Sequence, residues 1–321
     1  MSRSNYLMIP ISGQGIIVDP GTKDIIQKAM VPPFGYTDLL LYSHGWWTSA
    51  ETAMIDYNRF LMGLAPIVVT ADAAAGTVSR VLLGLGVHWP SMISEDANTP
   101  LTVLEPFTYF NRSKMADEVG EHGGYSLLRI ALEARRDAGL GLPRIQLVGH
   151  SFGCKVVCSA LEQLADTLAP SGLLNDLVVN VALLQAAFDD NALEPGESYG
   201  QVLGAYPKLR ILATRSDLDS AVGQAYVIVQ RIMNLFGTPT PGLGSSGPSA
   251  GTVAAAGGSL VLPVGPGFPM PAAGTLTGRL IVADLTPLHQ ANPSGDAPHS
   301  GHHSDIYHDE IYRLMTAFLF S

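Results

Sequence analysis

Short, predominantly apolar runs punctuate this chain: "DLLLYS" (38–43), "RVLLGLGVHWPS" (80–91), "RIQLVG" (144–149), "DLVVNVALLQ" (176–185), "KLRILAT" (208–214) and "RLIVADL" (279–285). They lack the apolar–polar alternation of a strand with one wet face, so they suit strands buried on both sides. Between them lie segments with helical spacing. Ala53, Met54, Tyr57, Phe60, Leu61 and Leu64 recur at helical intervals, as do Val156, Val157, Ala160, Leu161 and Leu164. Residues 117–138, 220–235 and 305–320 also read as helix. Strands that alternate with helices predict a mostly parallel α/β sheet with helices on both faces. At the start, "NYLMIPISGQGIIVDP" predicts a hairpin turning at Gly13-Gln14-Gly15. Thr48 and Glu51 have the spacing of a capping box. The length of 321 residues and apolar fraction of 47% allow a large core in one domain, residues 1–321.

One segment breaks the rhythm. No Asp, Glu, Lys or Arg occurs from Ile232 to Gly278, and the centre is rich in Gly, Pro, Ser and Ala. Such composition resists regular structure, so residues 237–278 read as an insertion before the last strand, a flexible loop or lid. The net charge of −10, without a basic stripe, excludes nucleic acid as the expected partner. Cys154 and Cys158 read as buried reduced thiols, not a disulfide framework. Together with a start that lacks the apolar core of a secretory signal, they predict a cytoplasmic location. No apolar run reaches the ~18 residues of a membrane span. Oligomeric state is not encoded in any feature of the sequence.

"GHSFG" (149–153) follows an apolar run and precedes a convincing helix. A serine in a sharp strand-to-helix turn is pushed above the sheet edge, and the helix N-terminus favours negative charge developing there. Ser151 is therefore the candidate nucleophile. A serine hydroxyl needs a base, and His303 in "SGHHSDIYHDE" is the preferred one, with His302 the alternative. His308 is expected one turn into the last helix. The imidazole needs a carboxylate to hold its tautomer. Asp219, in "SDLDSAV", is the choice; Asp217 and Asp189 are alternatives, and Asp305 reads as the cap of the last helix. An oxyanion would require two N–H donors, expected from Phe152 and from Trp46 in the turn "SHGWWTS". Trp47 and Phe188 are candidate substrate-binding aromatics for an apolar pocket. By count, His299, His302, His303 and His308 could hold zinc, yet their spacing fits no familiar zinc pattern.

"SHGWW", "GHSFG", "SDLD" and "HHSDI" occur in the order Ser, Asp, His, and on them the chain resembles the α/β-hydrolase superfamily over nearly its whole length. "GVHWPS" and "LLQAAF" add a resemblance to a group of bacterial α/β-hydrolases, a match that specifies no substrate. The resemblance implies an eight-stranded, mostly parallel sheet, an acyl-serine mechanism on carboxyl esters, and no metal or organic cofactor. The expected function is a serine esterase acting on a small-molecule ester with a short acyl or aryl group. An amidase, a thioesterase and a non-catalytic binding protein on the same fold are the alternatives.

Overall fold

A computed structural model describes residues 4–75, 80–92, 105–225, 240–272, 274–292 and 302–320. Its centre is one eight-stranded sheet. The strands are β1 (Ser4–Pro10), β2 (Asp38–Ser43), β3 (Leu82–His88), β4 (Arg144–His150), β5 (Val179–Leu184), β6 (Leu209–Arg215), β7 (Leu260–Pro263) and β8 (Leu280–Asp284). They lie in the order β1-β3-β2-β4-β5-β6-β8-β7, and every pairing is parallel. The architecture is α/β with a parallel sheet, consistent with an α/β-hydrolase-like fold, although this order is not the usual one for hydrolases.

The apolar runs are buried on both faces because successive strand residues point to opposite sides. Leu39 and Leu41 of β2 join one core, with Leu147 of β4 and Val282 of β8. Leu40 and Tyr42 join the other, with Val148 and Ile281. Three long helices cover the first face: α1 (Thr22–Met30), α4 (Tyr125–Asp137) and α5 (Gly153–Leu168). The second face is covered by α2 (Ala50–Ala75) and the last helix, α10 (Asp309–Leu319). Before α4, helix α3 (Glu105–Glu118) runs on through a π-helical turn, Val119–Gly124. Shorter helices are α6 (Gly200–Ala205), α7 (Leu243–Ser246), α8 (Ala250–Ala255) and α9 (Thr286–Ala291).

Several local expectations give way to longer-range packing. The predicted amino-terminal hairpin shrinks to a single antiparallel bridge, Ile11 to Ile17, while β1 pairs along its length with β3. Residues on the return arm, Ile16 and Val18, are exposed. Ser49, not Thr48, caps α2: its Oγ accepts from the Thr52 amide at 3.1 Å. The uncharged stretch carries α7, α8 and β7, and β7 lies at the sheet edge with alternating half-buried and exposed residues. That alternation suits an edge strand packed on one face only. The predicted helix over 220–235 is described only as a π-helical turn, Ala221–Ala225; residues 226–235 lie outside the described part. Among the described residues no helix is long and apolar enough to cross a membrane.

The topology also selects where a site can form. From β2 the chain steps back to β3 and then crosses to β4 on the other side of β2. Where the winding direction reverses, the connections leave a crevice outside the carboxyl ends of the strands. The loops after β2 and β4 meet at this crevice, carrying His44–Trp47 and Ser151.

Candidate active site

Ser151 follows β4 directly and has φ 54°, a left-handed backbone that a residue with a Cβ seldom adopts. The turn is held by its neighbours. The Ser151 amide donates to the Leu184 carbonyl at 3.0 Å, and the Ser151 carbonyl accepts from Cys154 at 3.1 Å. Two glycines make room for it. A Cβ on Gly149 would lie 2.5 Å from the Cys154 backbone, and one on Gly153 would collide with the Ser43 carbonyl at the end of β2. The glycines of "GHSFG" are thus required by the close passage of α5 over the strand ends. Ser151 is 6% exposed, and α5 begins immediately beyond Phe152.

The turn after β2 closes on Ser151 from the other side. A Cβ on Gly45 would fall 2.6 Å from Ser151 Cβ and 3.2 Å from its Oγ. Only glycine permits this approach. His44 fixes the turn: its Nδ1–H donates to the Gly45 carbonyl at 2.8 Å, and its Nε2 accepts from the Trp89 amide at 3.3 Å. The His44 and Trp89 rings stack 3° from parallel. Burial pushes the His44 imidazole down to about 3, so it stays neutral and keeps this tautomer.

His303 and Asp219, distant in sequence, meet here. His303 Nδ1–H donates to Asp219 Oδ2 at 2.8 Å. The carboxylate is buried and fully engaged: Oδ1 accepts from the Val222 amide at 2.9 Å, and Oδ2 also accepts from Gln185 Nε2 at 3.0 Å. The His303 backbone is tied to the serine turn, since His150 Nε2–H donates to its carbonyl at 2.9 Å. The two rings lie 5.0 Å apart, so His303 sits over the residue next to Ser151. With Nδ1 committed to Asp219, Nε2 is the ring nitrogen left to take up a proton.

The other expected residues fall differently. Asp217 is exposed and pairs with Arg215 at 2.9 Å. Asp189 forms a bridge with Gly242. His302 turns from Asp219 to Asp305, at 3.0 Å. Asp305 does not cap α10; it is fully buried ahead of the helix, and His308 occupies the cap position. His299 lies outside the described residues. Trp46 and Trp47 are half-buried at the crevice, their rings edge to face at 5.7 Å, and Trp46 leans on Phe152 at 6.2 Å. Phe188 is packed within the core against Tyr199, at 5.1 Å, so it offers no open face to a substrate. Cys154 and Cys158 are buried free thiols whose ionisation burial pushes up.

Two residues escaped the reading of the sequence. Gln185 directly follows β5 with φ 46° and braces Asp219, while its own Oε1 accepts from Thr214 Oγ1 at 3.1 Å. A glutamine closing a mostly apolar run was the available signal. His150, the variable residue of the pentapeptide, holds the His303 loop. Burial and the neighbouring His303 push its imidazole down to about 3.

His44 and His150 make stability depend on pH. In the unfolded chain each titrates near 6.5. Between roughly pH 6.5 and 3 the unfolded state therefore binds the extra protons. Their contribution is full above about pH 6.5 and declines on acidification, by up to about 1.4 kcal/mol per pH unit for each ring. His150→Gln keeps a donor for the His303 carbonyl but cannot titrate. Thermal midpoints measured from about pH 7 to 4 should fall less steeply in this variant than in the parent.

No protein-family model matches the chain, and no curated protein matches it either. The eight-stranded parallel sheet is consistent with an α/β-hydrolase-like fold, and Ser151 sits in its left-handed turn at the carboxyl edge.

Proposed function

We propose that the protein is a serine hydrolase of small carboxyl esters. The observation that carries this reading is the closed Asp219–His303 pair, 2.8 Å long, anchored through His150 to the left-handed turn of Ser151. In this scheme Ser151 Oγ attacks the ester carbonyl carbon while His303 Nε2 takes the hydroxyl proton. Asp219 keeps Nδ1–H in place and steadies the imidazolium. Negative charge on the former carbonyl oxygen meets the Phe152 and Trp46 amides, beside the gap that Gly45 leaves open. The C–O bond then breaks and His303 protonates the departing alcohol. Water attacks the acyl-serine with His303 again as base, which releases the acid and regenerates the hydroxyl.

The half-buried rings of Trp46 and Trp47 favour short acyl or aryl groups. Hydrolysis of p-nitrophenyl esters should fall as the acyl chain lengthens; a maximum at long chains would refute this pocket. The reaction class is tested by a fluorophosphonate probe on folded protein and by matched ester, amide and thioester substrates. Labelling at Ser151 with ester turnover is expected. A folded protein that neither labels nor turns over would be a binder, not an enzyme.

Gly45→Ala tests the oxyanion side. The new methyl pushes on Ser151 Cβ, and misplacement by about 1 Å costs on the order of 10² in rate. Ester turnover should drop by that factor with the fold intact by circular dichroism.

A further inference from the structure

Behind the Asp219–His303 pair lies a second cluster that the proposed reaction does not use. His289 of α9 and His302 and Asp305 of the last connection are all buried, and their ligand atoms lie within 4.8 Å of one another. The His289 and His302 rings stack at 4.7 Å, 12° from parallel. His302 Nδ1 is 3.0 Å from Asp305 Oδ2, and His308 Nε2 is 2.6 Å from Asp305 Oδ1. His289 reaches the Ser216 hydroxyl with Nδ1, at 2.8 Å, and the Asp305 carbonyl with Nε2, at 3.1 Å.

We propose that His289 Nε2, His302 Nδ1 and the Asp305 carboxylate form a binding site for a divalent transition cation of the zinc type.

Three observations carry this. First, the donor set is two imidazoles and a carboxylate, which suits zinc better than calcium or magnesium. Second, zinc–ligand bonds of about 2.0–2.1 Å at tetrahedral angles set ligand atoms roughly 3.3 Å apart. The His302–Asp305 pair, at 3.0 Å, already has nearly that separation. The third ligand atom, within 4.8 Å of the others, closes in by about 1.5 Å at most. Third, Asp305 is 0% exposed, and its ion-pair partners among the described residues are His302 and His308, with no lysine or arginine. A carboxylate sunk this deep calls for a positive partner, and a cation between it and the two rings supplies one.

An outer layer is also present. Ligating histidines commonly donate their second N–H to an oxygen, which fixes ring and tautomer. Once Nε2 binds metal, His289 carries its proton on Nδ1 and donates it to Ser216 Oγ. Likewise His302 moves its proton from Nδ1 to Nε2, so a neutral ring gives up no net proton. His308 stays on Asp305 Oδ1 and orients the carboxylate. The cation would clamp the connection after β8 to the segment that presents His303, holding the imidazole from behind.

The test uses the full chain, stripped with EDTA and dialysed. One zinc ion per chain is expected by elemental analysis, with a higher thermal midpoint after zinc is restored. Asp305→Asn and His302→Gln should lose the bound zinc and the thermal shift. Ser151→Ala and His303→Gln should keep both, which separates this site from the proposed hydrolase chemistry. If the cluster variants do not fold, cobalt added to the stripped parent decides: visible absorption of a low-coordinate nitrogen–oxygen site supports the assignment. A parent chain that takes up no zinc and yields no such cobalt spectrum would overturn it, as would zinc retained by folded Asp305→Asn.

Discussion

Ser151→Ala should remove ester hydrolysis almost completely, by about 10⁶ in kcat, because a serine and its base act as one unit. The loss is expected without unfolding. Alanine has the same Cβ, so it meets the same strain at φ 54° and the same contact with Gly45. Ser151→Gly separates the two effects. It lacks the hydroxyl but occupies the left-handed region freely, so it should be equally inactive and more stable by up to about 1 kcal/mol. Stopped-flow or steady-state turnover of p-nitrophenyl acetate, read beside thermal midpoints, checks both. Turnover by Ser151→Ala at the parent rate would end the assignment of Ser151.

Asp219→Asn should be the next most damaging change, costing about 10⁴ in kcat and a further 1–3 kcal/mol of stability. Both carboxylate oxygens accept from donors: Oδ1 from the Val222 amide, Oδ2 from Gln185 and His303. An asparagine has one acceptor side and one NH₂ side. With the NH₂ toward Val222, the helical turn beginning at Ala221 loses its cap. With the NH₂ toward His303, the ring is driven to the wrong tautomer and Gln185 faces a donor. Either orientation opposes two donors in a buried space. Asp217→Asn is the matched control, since that side chain is 63% exposed and sits on Arg215. It should alter neither turnover nor stability by more than about 0.5 kcal/mol.

The parts of the site readable from residue order are those governed by near neighbours. Gly149 and Gly153 flank Ser151 because α5 passes close over the end of β4 and beside Ser43, a constraint within a few residues and one adjacent strand. The double burial of β2, β4, β5 and β8 is likewise written into runs that are mostly apolar and do not alternate. Local signals misled where a distant partner competed. "ISGQGIIV" has hairpin chemistry, but the seven-residue pairing of β1 with β3 leaves only one bridge to the return arm. Asp305 looks like a helix cap by position, yet His302 and His308 draw it into the interior.

By itself, the amino-acid order determined an α/β chain with a parallel sheet and a strained serine between strand and helix, because periodicity and backbone room are short-range properties. Only the tertiary structure decided which aspartate meets which histidine, that Gln185 and His150 brace them, that an uncharged stretch yields the edge strand β7, and that His289, His302 and Asp305 converge. These are meetings of loops from different strand ends. Their partners are set by sheet order and by the burial of polar groups that must find one another, neither of which leaves a mark on any single segment.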